Sequence, residues 1–107
     1  MQEPTYFLLA SLLDGELHGY AIIQRATDLS GGRVRLAAGT LYAALDRLTG
    51  EGLVRAVHEE TVHGRARRYY RLSSDGVAAV RAEAGRMAAA ARVVTDRQPG
   101  TGGPAED

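Results

Sequence analysis

GTLYAALDRLTGEGLV, residues 39–54, and HGRARRYYRL, residues 63–72, decide how this 107-residue chain folds. In the first segment Leu41, Leu45 and Leu48 recur at spacings of four and three, which makes one face of a helix over about 38–50 apolar. Thr40, Tyr42, Ala43, Asp46 and Arg47 fall on the opposite side or its flanks. Gly52 suits a left-handed stop, after which Leu53 and Val54 open an extended segment. Strand-like residues over about 54–60 and 66–72 enclose a tip at His63 and Gly64. The second of these strands puts Arg68, Tyr70 and Leu72 on one face and Arg67, Tyr69 and Arg71 on the other, with Tyr70 and Leu72 expected to point inward. A helix, a hairpin and a basic tip in this order spell a winged helix-turn-helix, in which a groove-reading helix lies beside a phosphate-gripping hairpin.

Working outward, Pro4 suits the first turn of a helix over 5–13, where Phe7, Leu8, Leu9, Leu12 and Leu13 wrap most of the circumference. A helix apolar nearly all round needs cover on more than one side, here its own domain and a second subunit. Asp14 and Gly15 break it, and His18-Gly19-Tyr20 leads into a second helix reaching about Leu29, with Tyr20, Ile23, Ala26 and Thr27 spaced for one buried face. Ser30-Gly31-Gly32 ends that helix. Arg33-Val34-Arg35-Leu36 alternates polar and apolar, as a small third strand beside the hairpin would. Past the hairpin, Ser73 caps a last helix with Asp75 in its first turn.

That helix carries Val77, Val80, Ala84, Met87, Ala91 and Val94 at three-four-three-four-three, the seam of a short coiled coil, with Arg81, Glu83, Arg86 and Arg92 off it. Such a seam is marginal alone, so it is expected to pack with the first helix of each partner. Leu8, Leu12, Val80, Ala84, Met87 and Ala91 are the residues expected at the subunit contact. Residues 98–104 have no apolar pattern. The expected organisation is a winged-helix domain with its N-terminal helix over 1–72, a dimerisation helix over 73–97 and a disordered tail over 98–107, in a mainly α, α+β fold.

The length suits one domain that buries roughly 65% of the surface its unfolded chain exposes. A formal net charge of zero conceals unlike parts: residues 33–72 hold eight arginines against four acids, and the remainder five arginines against nine acids. Positive charge therefore collects where the motif expects DNA. Every cation is Arg, whose fork takes phosphate oxygens or guanine edges bidentately. The absence of cysteine removes disulfides and thiolate metal sites and fits a reducing cytoplasm. The apolar run over 6–13 follows Glu3 rather than a basic leader and is too short to span a bilayer.

Catalysis and metal binding find little support. No glycine-flanked nucleophile and no phosphate-cradling loop of the Walker kind is present, and Gly31-Gly32 reads as a turn. His58, Glu59, Glu60 and His63 are ligand types, but neighbouring strand residues point to opposite faces, so no metal or other cofactor is expected. The alternative to DNA binding is a winged helix whose basic wing docks an acidic protein partner, since fold alone does not decide function.

Four blocks in order carry a resemblance: His18-Gly19-Tyr20; Gly39-Thr40-Leu41-Tyr42 with Ala44-Leu45 and Arg47-Leu48; Gly52-Leu53-Val54; and Gly64-Arg65 with Arg67-Arg68-Tyr69-Tyr70. Together they resemble the PadR family of winged-helix transcriptional regulators, in its shorter branch with a single C-terminal helix. Ala43 stands where that family commonly has Pro, Thr49 where it has an acidic residue, and Ala37-Ala38 lack the usual polar cap. The resemblance implies a homodimeric bacterial regulator, usually a repressor, that binds an inverted repeat near a promoter and is often released by a small molecule. Thr40, Tyr42, Arg47, Arg65, Arg67, Arg68, His18 and Tyr20 are the residues expected at double-stranded DNA, His18 with a helix-entry role. An effector would sit in an apolar space between the two copies, near Tyr6, Leu8, Leu12 and Met87.

Overall fold

The computed structural model describes residues 1–100, and its element order follows the expected one with an added short strand. Helix α1 (Glu3–Ser11) starts with Glu3 and Pro4 in its first turn and buries Leu8, Leu9 and Ser11. The Ser11 hydroxyl donates to the Leu8 carbonyl at 2.6 Å, so the one polar side chain on this face is satisfied. Leu12 and Leu13 follow the helix in a turn rather than extending it. Strand β1 (Leu17–His18) leads straight into α2 (Gly19–Leu29), which buries Gly19, Ile22 and Ala26.

Two expectations for this half are corrected. Tyr20 does not lie on the buried face of α2: it is 66% exposed, because the helix turns Gly19 and Ile22 inward instead. Ile23 and Thr27 are only half-buried. Residues 33–36 do alternate as expected, with Val34 and Leu36 buried between exposed arginines, yet they form no strand. The Val34 amide donates to the Ser30 hydroxyl at 2.9 Å, so this segment is held by the turn that precedes it. The third strand is β1, paired antiparallel to the second hairpin strand.

Helix α3 (Ala38–Gly50) buries Leu41, Leu45 and Leu48, as the spacing predicts. Gly52 takes a left-handed φ of 79°, and the Leu53 amide closes on the Leu48 carbonyl at 3.0 Å. The hairpin is β2 (Val54–Val62) and β3 (Arg65–Leu72), joined by His63 and Gly64 with φ of 52° and 76°. Two successive left-handed residues make the tight turn whose twist matches paired strands. The sheet order is β1-β3-β2, with Leu17 opposite Tyr70 and His18 opposite Tyr69. A bulge at Val57 shifts the register, so Ala56 faces Tyr70 and His58 faces Tyr69. Tyr70 and Leu72 point into the core, where they meet Leu8, Leu9, Ile22, Leu41, Leu45, Leu48 and Val54.

Helix α4 (Ser74–Thr95) begins at a three-way junction. The Ser73 hydroxyl accepts from the Gly76 amide at 3.0 Å and donates to the Gly52 carbonyl at 2.6 Å. The Ser73 amide bonds the Leu53 carbonyl at 3.0 Å. Val80 is the last buried residue of the helix, and from Gly85 onward every described residue is exposed. Of the six residues expected at a subunit contact, Leu8, Leu12 and Val80 lie in the chain's own core, so a partner cannot cover them. Ala84 is half-buried, while Met87 and Ala91 are exposed. Residues 98–100 have no regular structure, and the rest of the expected disordered tail, 101–107, lies outside the described residues.

Two glycines of α4 should respond to alanine with opposite signs. A Cβ at Gly76 would strike the Leu53 carbonyl oxygen and lie 3.1 Å from Leu72 Cδ2, whereas Gly85 has nothing within 4 Å. Gly76→Ala is expected to lower unfolding free energy in urea by about 3 kcal/mol, and Gly85→Ala to raise it by about 0.5–1 kcal/mol.

Candidate nucleic-acid interface

The outward side of α3 presents Gly39, Thr40, Tyr42, Ala43, Asp46 and Arg47 to solvent. Neither α2 nor α3 has a side-chain cap at its N-terminus, and neither has an acidic residue in its first turn. The first residues of α3 are exposed, so its leading amides are open to an outside acceptor and the local dipole favours an anion, whereas the first residue of α2, Gly19, is buried. Thr40 stands in the first turn of α3 with its side chain exposed.

Tyr42 is 47% exposed, but its hydroxyl end lies over Gly19, where an added Cβ would collide with the oxygen and come within 2.9 Å of Cζ. The missing side chain at Gly19 is therefore what lets Tyr42 lean on the start of α2. Tyr20 is on the exposed side of that helix and accepts from the Gln24 amide at 3.0 Å. Arg47 is already engaged near the far end of α3: Nη2 donates to the Thr5 hydroxyl at 3.3 Å, and Nη1 is 3.7 Å from Glu51.

The wing separates its three tip arginines. Arg65 and Arg67 are exposed and make no ion pair among the described residues. Arg68 differs: Nε and Nη2 both donate to one Glu59 carboxylate oxygen, at 3.1 and 2.9 Å. Only cross-strand register reveals this, because Glu59 lies directly opposite Arg68.

At the base of the wing a row of rings crosses all three strands. Tyr69 stacks on His58 at 4.6 Å with planes 12° apart, and meets His18 edge-on at 5.4 Å. His58 Nδ1 lies 3.1 Å from Glu16, and Nε2 is 3.9 Å from Glu60. Burial, and then the positive charge of Arg67, push the His18 pKa below its ordinary value against a smaller opposing pull from Glu60. His18 is half-buried and precedes α2, so its position joins the start of that helix to the wing. The candidate ligand set His58, Glu59, Glu60 and His63 does not converge: Glu59 is taken by Arg68, and His63 sits in the turn.

Three helices packed under a three-stranded sheet, with a basic hairpin rising beside an exposed third helix, define a winged helix-turn-helix protein. The model of the transcriptional regulator PadR-like family matches residues 8–82. Transcriptional regulator Rv3488 of Mycobacterium tuberculosis is 36% identical over 96 residues, which span 90% of this chain and 86% of that protein. A PadR family transcription regulator from Clostridium difficile R20291 shares the fold at a TM-score of 0.73 and 20% identity, covering 89% of this chain and 97% of the other. Bacillus subtilis PadR, solved in complex with operator DNA, shares it at a TM-score of 0.65 and 23% identity, over 75% of this chain and 45% of that one. The chain belongs to the PadR-like family of transcriptional regulators.

Two outcomes test this geometry. With the folded His18 pKa depressed, the unfolded chain takes up that proton first as the solution acidifies. Stability from this group is complete above the ordinary histidine value and is lost as pH falls through it toward the folded one. The urea midpoint should therefore drop less in His18→Gln than in wild type between about pH 7.5 and about pH 5. Separately, Gly19→Ala should cost about 1–2 kcal/mol by displacing Tyr42, and a double-mutant cycle should show that cost vanishing in a Tyr42→Ala background.

Proposed function

We propose that the chain works as a homodimeric, sequence-specific DNA-binding repressor whose two copies engage an inverted repeat. The observation that carries this is the pair of uncommitted arginines, Arg65 and Arg67, on a wing beside the open N-terminus of α3. Arginines on a turn reach phosphate oxygens while their strands hold them in register. Thr40, in the first turn of α3, is placed to meet base edges, with Tyr42 beside it. His18 and Tyr20 approach the backbone from the start of α2, and Arg47 and Arg68 do so only by leaving the partners they have in the free chain.

A second copy is supported by the outer half of α4. Met87 is 42% exposed and Val94 73% exposed, and with Ala91 they make an apolar stripe that this chain leaves uncovered, continued by the half-buried Ala84. Two such helices packed about a twofold axis would cover the stripe and present two wings to one duplex, about 34 Å apart for consecutive turns. Repression follows from occupying a promoter. A small apolar effector held between the copies, near Tyr6 and Met87, would release the DNA by changing the spacing of the wings. The place of action is the cytoplasm, where the DNA is. Among the described residues no helix is long and apolar enough to cross a membrane.

The test is fluorescence anisotropy with DNA from upstream of the chain's own gene, over a series of salt concentrations, together with light scattering. A dimer at micromolar concentration and selective binding are expected. Arg67→Gln should weaken specific and non-specific DNA alike and reduce the log–log salt slope by about 0.9. Thr40→Ala should instead relax preference at one base pair by about 1–3 kcal/mol. A monomer, or no selectivity at low salt, would overturn the proposal.

A further inference from the structure

We propose that Glu59 is an affinity-setting residue of the wing, a built-in carboxylate competitor that occupies the Arg68 fork a DNA phosphate would otherwise take. This rests on the DNA-binding reading above and adds to it a residue that weakens binding.

The geometry sets Arg68 apart from its neighbours. Its Nε and Nη2 converge on one Glu59 oxygen at 3.1 and 2.9 Å, and the two residues are direct cross-strand partners, so the backbone holds them in place. Arg67 has the same register relation to Glu60 on the other face of the hairpin, yet those two make no ion pair. Arg65 lies opposite Val62 and has no carboxylate to meet. Of three arginines presented by one tip, one alone is occupied.

The pair does little for the fold. Its side chains are 55% and 53% exposed, and an ion pair this open to water is screened and adds little to stability. A phosphodiester offers the guanidinium the same kind of anionic oxygen as a carboxylate, in a geometry Arg accepts equally well. As the wing closes on a duplex, Arg68 must exchange one anion for the other, and Glu59 is left as a negative charge beside the phosphates. The exchange holds binding below what three free arginines would give and makes it easier to reverse.

The experiment is a double-mutant cycle on the full chain: wild type, Glu59→Gln, Arg68→Gln and the double variant, each titrated against the upstream DNA at several salt concentrations. Glu59→Gln should bind about fivefold tighter near 0.1 M salt, with a salt slope steeper by up to about 0.9, because Arg68 no longer gives up a carboxylate to reach the phosphate and one negative charge is gone from the bound wing. In the Arg68→Gln background the Glu59 substitution should change affinity by less than about twofold. A gain of equal size in both backgrounds means general charge repulsion and overturns the proposal. So does an unchanged Glu59→Gln beside a wild type that binds normally, and in that case DNA binding itself stands. If wild type binds no DNA, both fall. An unaltered urea midpoint for Glu59→Gln confirms that the wing is intact.

Discussion

The close seat of α4 on the end of the α3–β2 connection is the contact on which the rest depends. Ser73 reaches the Gly52 carbonyl with its hydroxyl and the Leu53 carbonyl with its amide, and the same hydroxyl caps α4 through Gly76. Gly52 ends α3 in a left-handed conformation, so these bonds tie the end of one helix to the start of another across a single turn. Gly76 permits the approach because any side chain there would enter the Leu53 carbonyl. Whatever moves the first turns of α4 therefore moves the end of α3 and the start of β2 with it. Packed interiors pass such displacements on rather than absorbing them.

A second set of contacts fixes the other end of the same unit. Gly19 receives the Tyr42 hydroxyl, and the His18–Tyr69–His58 row runs from the entry of α2 across the base of the wing. Aromatic pairs of this kind contribute about 0.5–1.5 kcal/mol beyond the area they bury, modest beside the leucine core. Their importance is directional, since they set the wing and the start of α3 against one common point, the start of α2. A unit held at both ends in this way moves as a rigid piece.

Much of this was legible in the chain because each signal was local and repeated. Three leucines with helical spacing, a glycine at the stop, alternation in two strands and a serine before an acidic turn marked α3, the hairpin and the start of α4. What escaped depended on register or on long-range packing. Strand β1 is two residues long, too short for any period to show, and exists because β3 offers a free edge. The bulge at Val57 brings His58 level with Tyr69, and no glycine or proline announces it. Tyr20 followed a helical spacing that fitted two faces, and the core chose Gly19 and Ile22. Val80 fitted a seam, and Leu8 and Leu12 a helix apolar nearly all round, yet cover supplied inside one chain leaves the same pattern as cover supplied by a second. The Glu59–Arg68 pair was invisible for a related reason: alternation says which side chains share a face, and only register says which ones touch.

Charge supplies the last step. Within residues 33–72 the acids are largely spoken for, Glu51 near Arg47, Glu59 on Arg68 and Glu60 near His58. Arg33 pairs outside the segment with Glu3. That leaves Arg35, Arg55, Arg65, Arg67 and Arg71 without an ion pair among the described residues. Arg55 and Arg71 even face each other directly across β2 and β3, an arrangement that costs stability when nothing anionic is near. A chain with as many acids as arginines could have neutralised this surface and did not. Folding gains nothing from the uncompensated cations, and a surface of this kind is complementary to a polyanion that approaches from outside.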